Sequence, residues 1–153
     1  MSFLSPVPLF DTHTHFDVSD FDADREELAL KAKQAGVDAL ILIGFLQERF
    51  DTLIQTHLAL NQLKDAPKSY LAPGLHPFYI EQHQTQHLDA LEKVLMEHDC
   101  VAIGEIGLDT FLKQHKQADM LEKQKCYFSR QIEMAQHFDK PILLHIRKAH
   151  AET

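Results

Sequence analysis

The sequence predicts an α/β fold built on parallel strands, and three observations carry that expectation. Five short, nearly continuous apolar stretches recur along the chain, "VPLFDTH", "VDALILIG", "SYLAPGLH", "CVAIGEIG" and "KPILLHIR", as strands buried on both faces read. Helical periodicity fills each gap between them, and strict alternation with short connections demands parallel pairing and right-handed crossovers. No linker, composition shift or internal repeat beyond the βα unit interrupts the 153 residues, so residues 1–153 read as one domain without a second. From the pattern alone the sheet is either a (β/α) barrel or an open doubly wound sheet.

The elements follow in order. In the first strand, "LFDTHTHFD", Asp11, His13, His15 and Asp17 fall at every second position and therefore point one way. Asp22 or Asp24 can cap a helix that turns Leu28, Ala32 and Ala35 inward and stops at Gly36. No glycine-rich phosphate loop follows the first strand, which excludes a dinucleotide fingerprint. The second helix shows Phe50, Leu53, Ile54 and His57 on one face, and the third shows Leu88, Leu91, Leu95 and His98. Between them His76 ends the third strand, held extended by Pro77. Cys100 opens the fourth strand as a small buried hydrophobe. The fourth helix, from about Ala118 to His137, places Leu121, Phe128, Ile132 and Ala135 inward, and Pro141 starts the fifth strand, where a missing N–H is tolerated.

Charge and cysteine usage narrow the function classes. A net charge of −8 argues against a broad electrostatic footprint for nucleic acid. Bound divalent cations would reverse that locally, since they are often the largest charges in a site. Cys100 and Cys126 lack ligand spacing and read as free thiols of a reducing compartment, with the cytoplasm as the expected location. The opening "MSFLSPVPLF" reads as neither a signal peptide nor a membrane span, and no membrane partner is expected.

In parallel α/β folds the chemistry gathers at the C-terminal ends of strands. His13 and His15 end the first strand, His76 the third, Glu105 the fourth, and His145 with Arg147 the fifth. Eleven histidines in 153 residues give about 0.8 H-x-H pairs by chance, so placement at a strand end, not spacing, marks His13 and His15 as metal ligands. Glu105 lies between Gly104 and Gly107, where a buried carboxylate is costly unless paired or metal-bound. Arg147 shares a face with His145 and can fork a phosphate. His76 either contacts substrate or merely ends its strand, and Asp109 either supports a ligand or caps the following loop. His57, His83, His87, His98, His115 and His137 read as solvated or satisfied structural residues, and His150 has no assignable role.

The motifs "DTHTHFD", "GLHPF", "AIGEIGLD" and "QKCYFSRQIEMAQHFDKPILLHIRKA", in this order, resemble those of TatD-type metal-dependent deoxyribonucleases, a branch of the amidohydrolase-like TIM barrels. The likeness runs from about Phe10 to Ala149. It implies a TIM (β/α)8-type barrel with two divalent metal ions at its mouth, Zn, Mn, Mg, Ni or Fe being equally admissible to His and carboxylate ligands. His13 and His15 would bind one ion, Glu105 would bridge both as the catalytic carboxylate, and His145 would bind the second. His76, Asp109 and Arg147 would surround the substrate phosphate. The implied reaction is phosphodiester hydrolysis of DNA or a short oligonucleotide.

The family pattern continues with a further metal-binding histidine and a later aspartate that binds metal and takes a proton. Neither follows here, and a full barrel needs roughly 250 residues. The expectation is therefore a barrel truncated to about five strands, an N-terminal part of impaired activity that needs an oligomer or a missing C-terminal half. Two alternatives stand beside it: an inactive metal-binding remnant acting through a partner, and an amidase or phosphatase on the same scaffold.

Overall fold

Each predicted strand and helix has a counterpart in the computed structural model, which describes residues 7–151. The first six residues of the opening decapeptide lie outside them. The strands are β1 (Leu9–Thr14), β2 (Val37–Ile43), β3 (Lys68–Ala72), β4 (Ile103–Asp109) and β5 (Ile142–Arg147). Between them lie helices α1 (Arg25–Gln34), α2 (Phe50–Gln62), α3 (Thr85–Glu97) and α4 (Ala118–His137). All pairing is parallel, in a three-stranded sheet β1-β2-β3 and a two-stranded sheet β4-β5.

The two sheets meet through main-chain bonds. Val101 N–H donates to Leu71 O at 2.9 Å and Gly104 N–H to Pro73 O at 3.0 Å. Every strand thus neighbours its predecessor in sequence, the order of a barrel rather than the reversing order of a doubly wound sheet. Among the described residues the sheets remain open and no closed barrel forms.

Alternation along the central strands builds a core on both faces. Leu40, Leu42, Leu71, Ile103 and Ile106 pack with Ala29, Leu53, Leu91, Tyr127 and Met134 of the helices. On the other face Ile41, Ile43, Ala72 and Ala102 form a smaller cluster, with Tyr70, Val101 and Leu143 against it. Burial on both faces, expected of all five strands, holds only for the middle ones. β1 and β5 each have one neighbour, leaving Phe10 52% and Leu144 49% exposed.

Local signals largely set the helix limits. Gly36 follows α1 with φ +99°, a left-handed conformation that glycine adopts without the Cβ penalty. Asp24 occupies the N-cap position of α1 without a side-chain cap, and Asp22 instead pairs with Arg25 at 2.7 Å. Two expected faces need correction. In α1 Ala29 is the fully buried residue while Ala35 is exposed, because the helix ends before its last turn reaches the sheet. In α4 the deepest stripe is Gln124, Tyr127, Gln131, Met134 and Ala135, and Leu121, Phe128 and Ile132 flank it half-buried. Two glutamines occupy core positions because they satisfy main-chain groups that lack a strand partner. Gln131 accepts from Leu75 N–H at 2.8 Å and donates to Leu75 O at 3.2 Å, and Gln124 brackets Asp109 in the same way at 2.7 and 2.9 Å.

Cys100 is buried and Cys126 exposed, both as free thiols. Among the described residues no helix is long and apolar enough to cross a membrane.

Candidate metal centre

β1 and β4, the strands that carry the first ligand candidates, are both irregular where those residues sit. Asp11 and Thr14 of β1 lie opposite Leu40 and Leu42, so two residues, Thr12 and His13, face one on β2. In β4, Gly104 and Ile106 pair with consecutive Leu143 and Leu144, leaving Glu105 as the extra residue. Such bulges re-aim a side chain out of the regular alternation. Glu105 consequently stands inside β4, whose pairing continues to Asp109, and does not end it as the sequence suggests. Gly107, at φ +145°, lies so close to β5 that an added Cβ would run into His145 O. His76 is also displaced from its expected place: it lies beyond β3 and caps the short 3-10 turn Pro77–Tyr79.

These irregular segments bring four imidazoles to one carboxylate. Oε2 of Glu105 is 3.2 Å from His13 Nε2, 3.8 Å from His15 Nε2 and 3.4 Å from His76 Nε2, while Oε1 is 3.0 Å from His145 Nδ1. Two donor sets result, His13–His15–Glu105 and His76–Glu105–His145, each with its atoms within 4.8 Å of one another and Glu105 common to both. Mixed imidazole and carboxylate donors of this kind suit a divalent ion.

The second nitrogen of each ring separates their capacities. His15 Nδ1 lies 3.0 Å from Ile43 O, a carbonyl that can only accept, so Nδ1 carries the proton and Nε2 keeps its lone pair toward Glu105 and any ion. His76 is arranged in the opposite sense. Its Nδ1 accepts from Phe78 N–H at 3.0 Å, and burial lowers its pKa despite the hydrogen bond to Glu105, so the neutral ring presents Nε2–H. A nitrogen already bearing hydrogen donates and does not ligate. His76 therefore suits a carboxylate or phosphate oxygen better than an ion.

Glu105 is held charged, and the His145 ring is flanked by two carboxylates. Burial pushes the Glu105 carboxyl up, yet hydrogen bonds from His145 and His76 and the nearby His13 outweigh it, holding it well below the usual carboxylate range. The hydrogen bond to Glu105 raises the His145 pKa against the opposing effect of burial, and Asp109 adds to the rise. Asp109 is fully buried, with Oδ2 2.9 Å from His145 Nε2 and Oδ1 accepting from Phe111 N–H at 2.8 Å. Its partners are thus the His145 ring and a backbone amide. Arg147 spreads its guanidinium over the Phe111 ring, 3.6 Å from the centroid.

Of the four side chains that alternate along the first strand, only His13 and His15 converge on the centre. Asp11 accepts from His13 N–H, and Asp17, past the strand end, is buried against Arg49 at 3.3 Å. Two helix and loop histidines are also more deeply placed than expected. His83 is buried, stacked on Tyr127, and donates from Nε2 to His76 O at 2.8 Å. His115 is fully buried with its ring edge-on to Phe78, and among the described residues its ring nitrogens have no hydrogen-bond partner. His57 fits the structural reading, bonded to Ser69 Oγ at 3.0 Å.

Beside the histidines opens a cavity of about 300 Å³, lined in part by Phe45, Phe78, Tyr79 and Arg147. Phe78 falls in the quoted motif "GLHPF" without a role of its own, and Phe45 and Tyr79 escaped the sequence reading because they lie outside the apolar runs. The short spacing of Phe78 and Tyr79 from His76 was the available signal.

Comparison with known proteins finds relatives of this chain. The family model described as TatD related DNase matches residues 10–153. The chain is 35% identical over 142 residues to the uncharacterized metal-dependent hydrolase YjjV of Escherichia coli strain K12, covering 92% of this chain and 51% of that protein. It is 26% identical over 144 residues to a protein of Pantoea ananatis named 3'-5' ssDNA/RNA exonuclease TatD, covering 93% of this chain and 51% of the relative. The crystal structure of YjjV superposes with a TM-score of 0.77, covering 94% of this chain and 52% of that one. A TatD-family hydrolase of Entamoeba histolytica, at 22% identity, shares the fold with a TM-score of 0.78, over 95% of this chain and 52% of its own. The chain thus spans about half the length of the curated relatives it matches.

Proposed function

Because the chain belongs to the TatD-related DNase family, whose relatives include proteins named metal-dependent hydrolases, we propose that it carries the metal-binding half of a phosphodiesterase acting on DNA or short single-stranded oligonucleotides. The observation that supports this best is the convergence of four imidazoles on Glu105, with His15 already in the tautomer of a ligand. His13, His15 and Glu105 would hold one divalent ion, and Glu105 with His145 a second. Two such ions supply Lewis acidity toward a phosphoryl oxygen and a more acidic water.

The chain's own residues do the rest. Glu105 turns Oε2 toward His13, His15 and His76 and Oε1 toward His145. Asp109 fixes the His145 ring from behind, as partners of ligating histidines commonly do. His76, through Nε2–H, donates to a phosphate oxygen brought against Glu105, and Arg147 supplies a fixed positive charge at the rim of the same cavity.

Incubation of purified protein with a labelled single-stranded oligonucleotide and Mn²⁺ tests the reading. Metal-dependent release of nucleotides that Glu105→Gln abolishes supports it. Tight Mn²⁺ binding without cleavage, even after addition of the C-terminal half of a relative, would leave a metal-binding protein and overturn the nuclease.

A further inference from the structure

We propose that Phe45 and Tyr79 form a platform for one nucleobase, making the unpaired terminal nucleotide the unit this site receives; the inference rests on the metal-site reading above. The two rings pack at 5.5 Å with planes 36° apart, too close to clasp a base between them but continuous as a wall. Both are half-buried and line the 300 Å³ cavity, which His15, His76 and His145 line as well. The wall adjoins the candidate ligands directly: the Phe45 ring meets His15 edge-on at 5.3 Å, and Tyr79 meets His76 at 6.0 Å. Phe78 braces Tyr79 at 5.3 Å and is itself backed by the buried His115 ring.

A ligand that fills this space needs an anion at the histidines and a flat π face one short spacer away. A nucleotide has that form, with its sugar as the spacer. Arg147, held against Phe111 and without a carboxylate partner among the described residues, stands on the cavity lining to meet the anion. The net charge of −8 leaves little general attraction for a phosphate backbone, so affinity has to be gathered locally from base and phosphate together. Stacking on aromatic rings accepts any base, and it requires one that is not already stacked in a duplex. The platform therefore selects for single-strandedness at one position and against simple phosphoesters without a base.

Calorimetry with thymidine 5′-phosphate and 2-deoxyribose 5-phosphate, each in Mn²⁺, separates base from phosphate. The nucleotide should bind about tenfold tighter, within the range that one stacked base contributes. Phe45→Leu and Tyr79→Ala should bring the ratio of the two affinities near one, whereas Tyr79→Phe should preserve it. With no tryptophan and three tyrosines in the chain, a change in tyrosine emission on nucleotide binding that disappears in Tyr79→Phe would locate the contact. Equal affinity for the two probes, or a preference that survives both Phe45→Leu and Tyr79→Ala, overturns the platform while leaving the metal site standing. Failure of both probes to bind overturns the metal-site reading and the platform with it.

Discussion

At the residue scale, Glu105 and His76 sit in one cluster but should respond differently to substitution. Glu105→Gln replaces one carboxylate oxygen by an amide and removes the negative charge that both donor sets share, so Mn²⁺ affinity should fall more than about tenfold. His76→Ala should leave metal content nearly unchanged, because its hydrogen-bearing nitrogen is a donor, and should weaken phosphate binding instead. Elemental analysis of both variants checks this, and equal metal loss would show His76 to be a ligand. His83 offers a pH test. Burial pushes its pKa down to about 4 from an ordinary 6.5, so the unfolded chain takes up a proton before the folded one does. Stability should therefore fall as pH drops from about 6.5 toward 4, with about 2 kcal/mol lost by pH 5 relative to pH 7. In urea unfolding, native protein should show this loss beyond that of His83→Gln, and parallel pH profiles would mean that His83 charges freely inside the fold. The convergence of His13, His15 and His145 was legible in the sequence because chemistry gathers toward one end of parallel strands, whereas the place of Glu105 inside β4 was not, since it depends on the bulge opposite Leu143 and Leu144. Nor was the tautomer of His76, since it depends on Phe78 N–H turning back through a 3-10 turn.

At the scale of elements, α4 behaves partly as a surrogate strand. Gln124 and Gln131 stand two turns apart on its buried face and pair with backbone groups as a β neighbour would. Gln131→Leu keeps the volume but strands Leu75 N–H and C=O away from water, and each unmet buried group costs about 1–3 kcal/mol. A loss of about 2 kcal/mol or more in urea unfolding is expected, and a neutral result would mean that water replaces the amide. Gly107→Ala should be worse tolerated, because its positive φ and the contact with His145 O act together to force β4 from β5. The alternation of strands and helices was legible because apolar runs and periodicity encode it. The glutamine stripe was not, because periodicity arguments count apolar residues, and a polar residue reads as core only once its tertiary partner is known.

At the scale of the molecule, parallel pairing was legible in the pattern and the barrel-like strand order only through the family resemblance, while the depth of burial at the two ends was not legible at all. Edge strands carry the same apolar composition as central ones, and only the neighbour distinguishes them. The exposed run at Leu9 and Phe10 on β1, with Leu144 on β5, should make the 153-residue protein self-associate. Sedimentation should show mass rising with concentration, and a monomer throughout would mean that these edges are tolerated. The meeting of four rings at Glu105 also carries a consequence for the order of events in folding. Its partners come from the end of β1, the turn after β3 and β5, and one of them, His145, is 40 residues away. Closing such distant contacts is slow relative to forming single helices. The ligand set therefore comes into being only when the parallel ladder is complete, so uptake of a coloured ion such as Co²⁺ should lag behind the recovery of helical signal during refolding, acting as a clock for the last step of assembly.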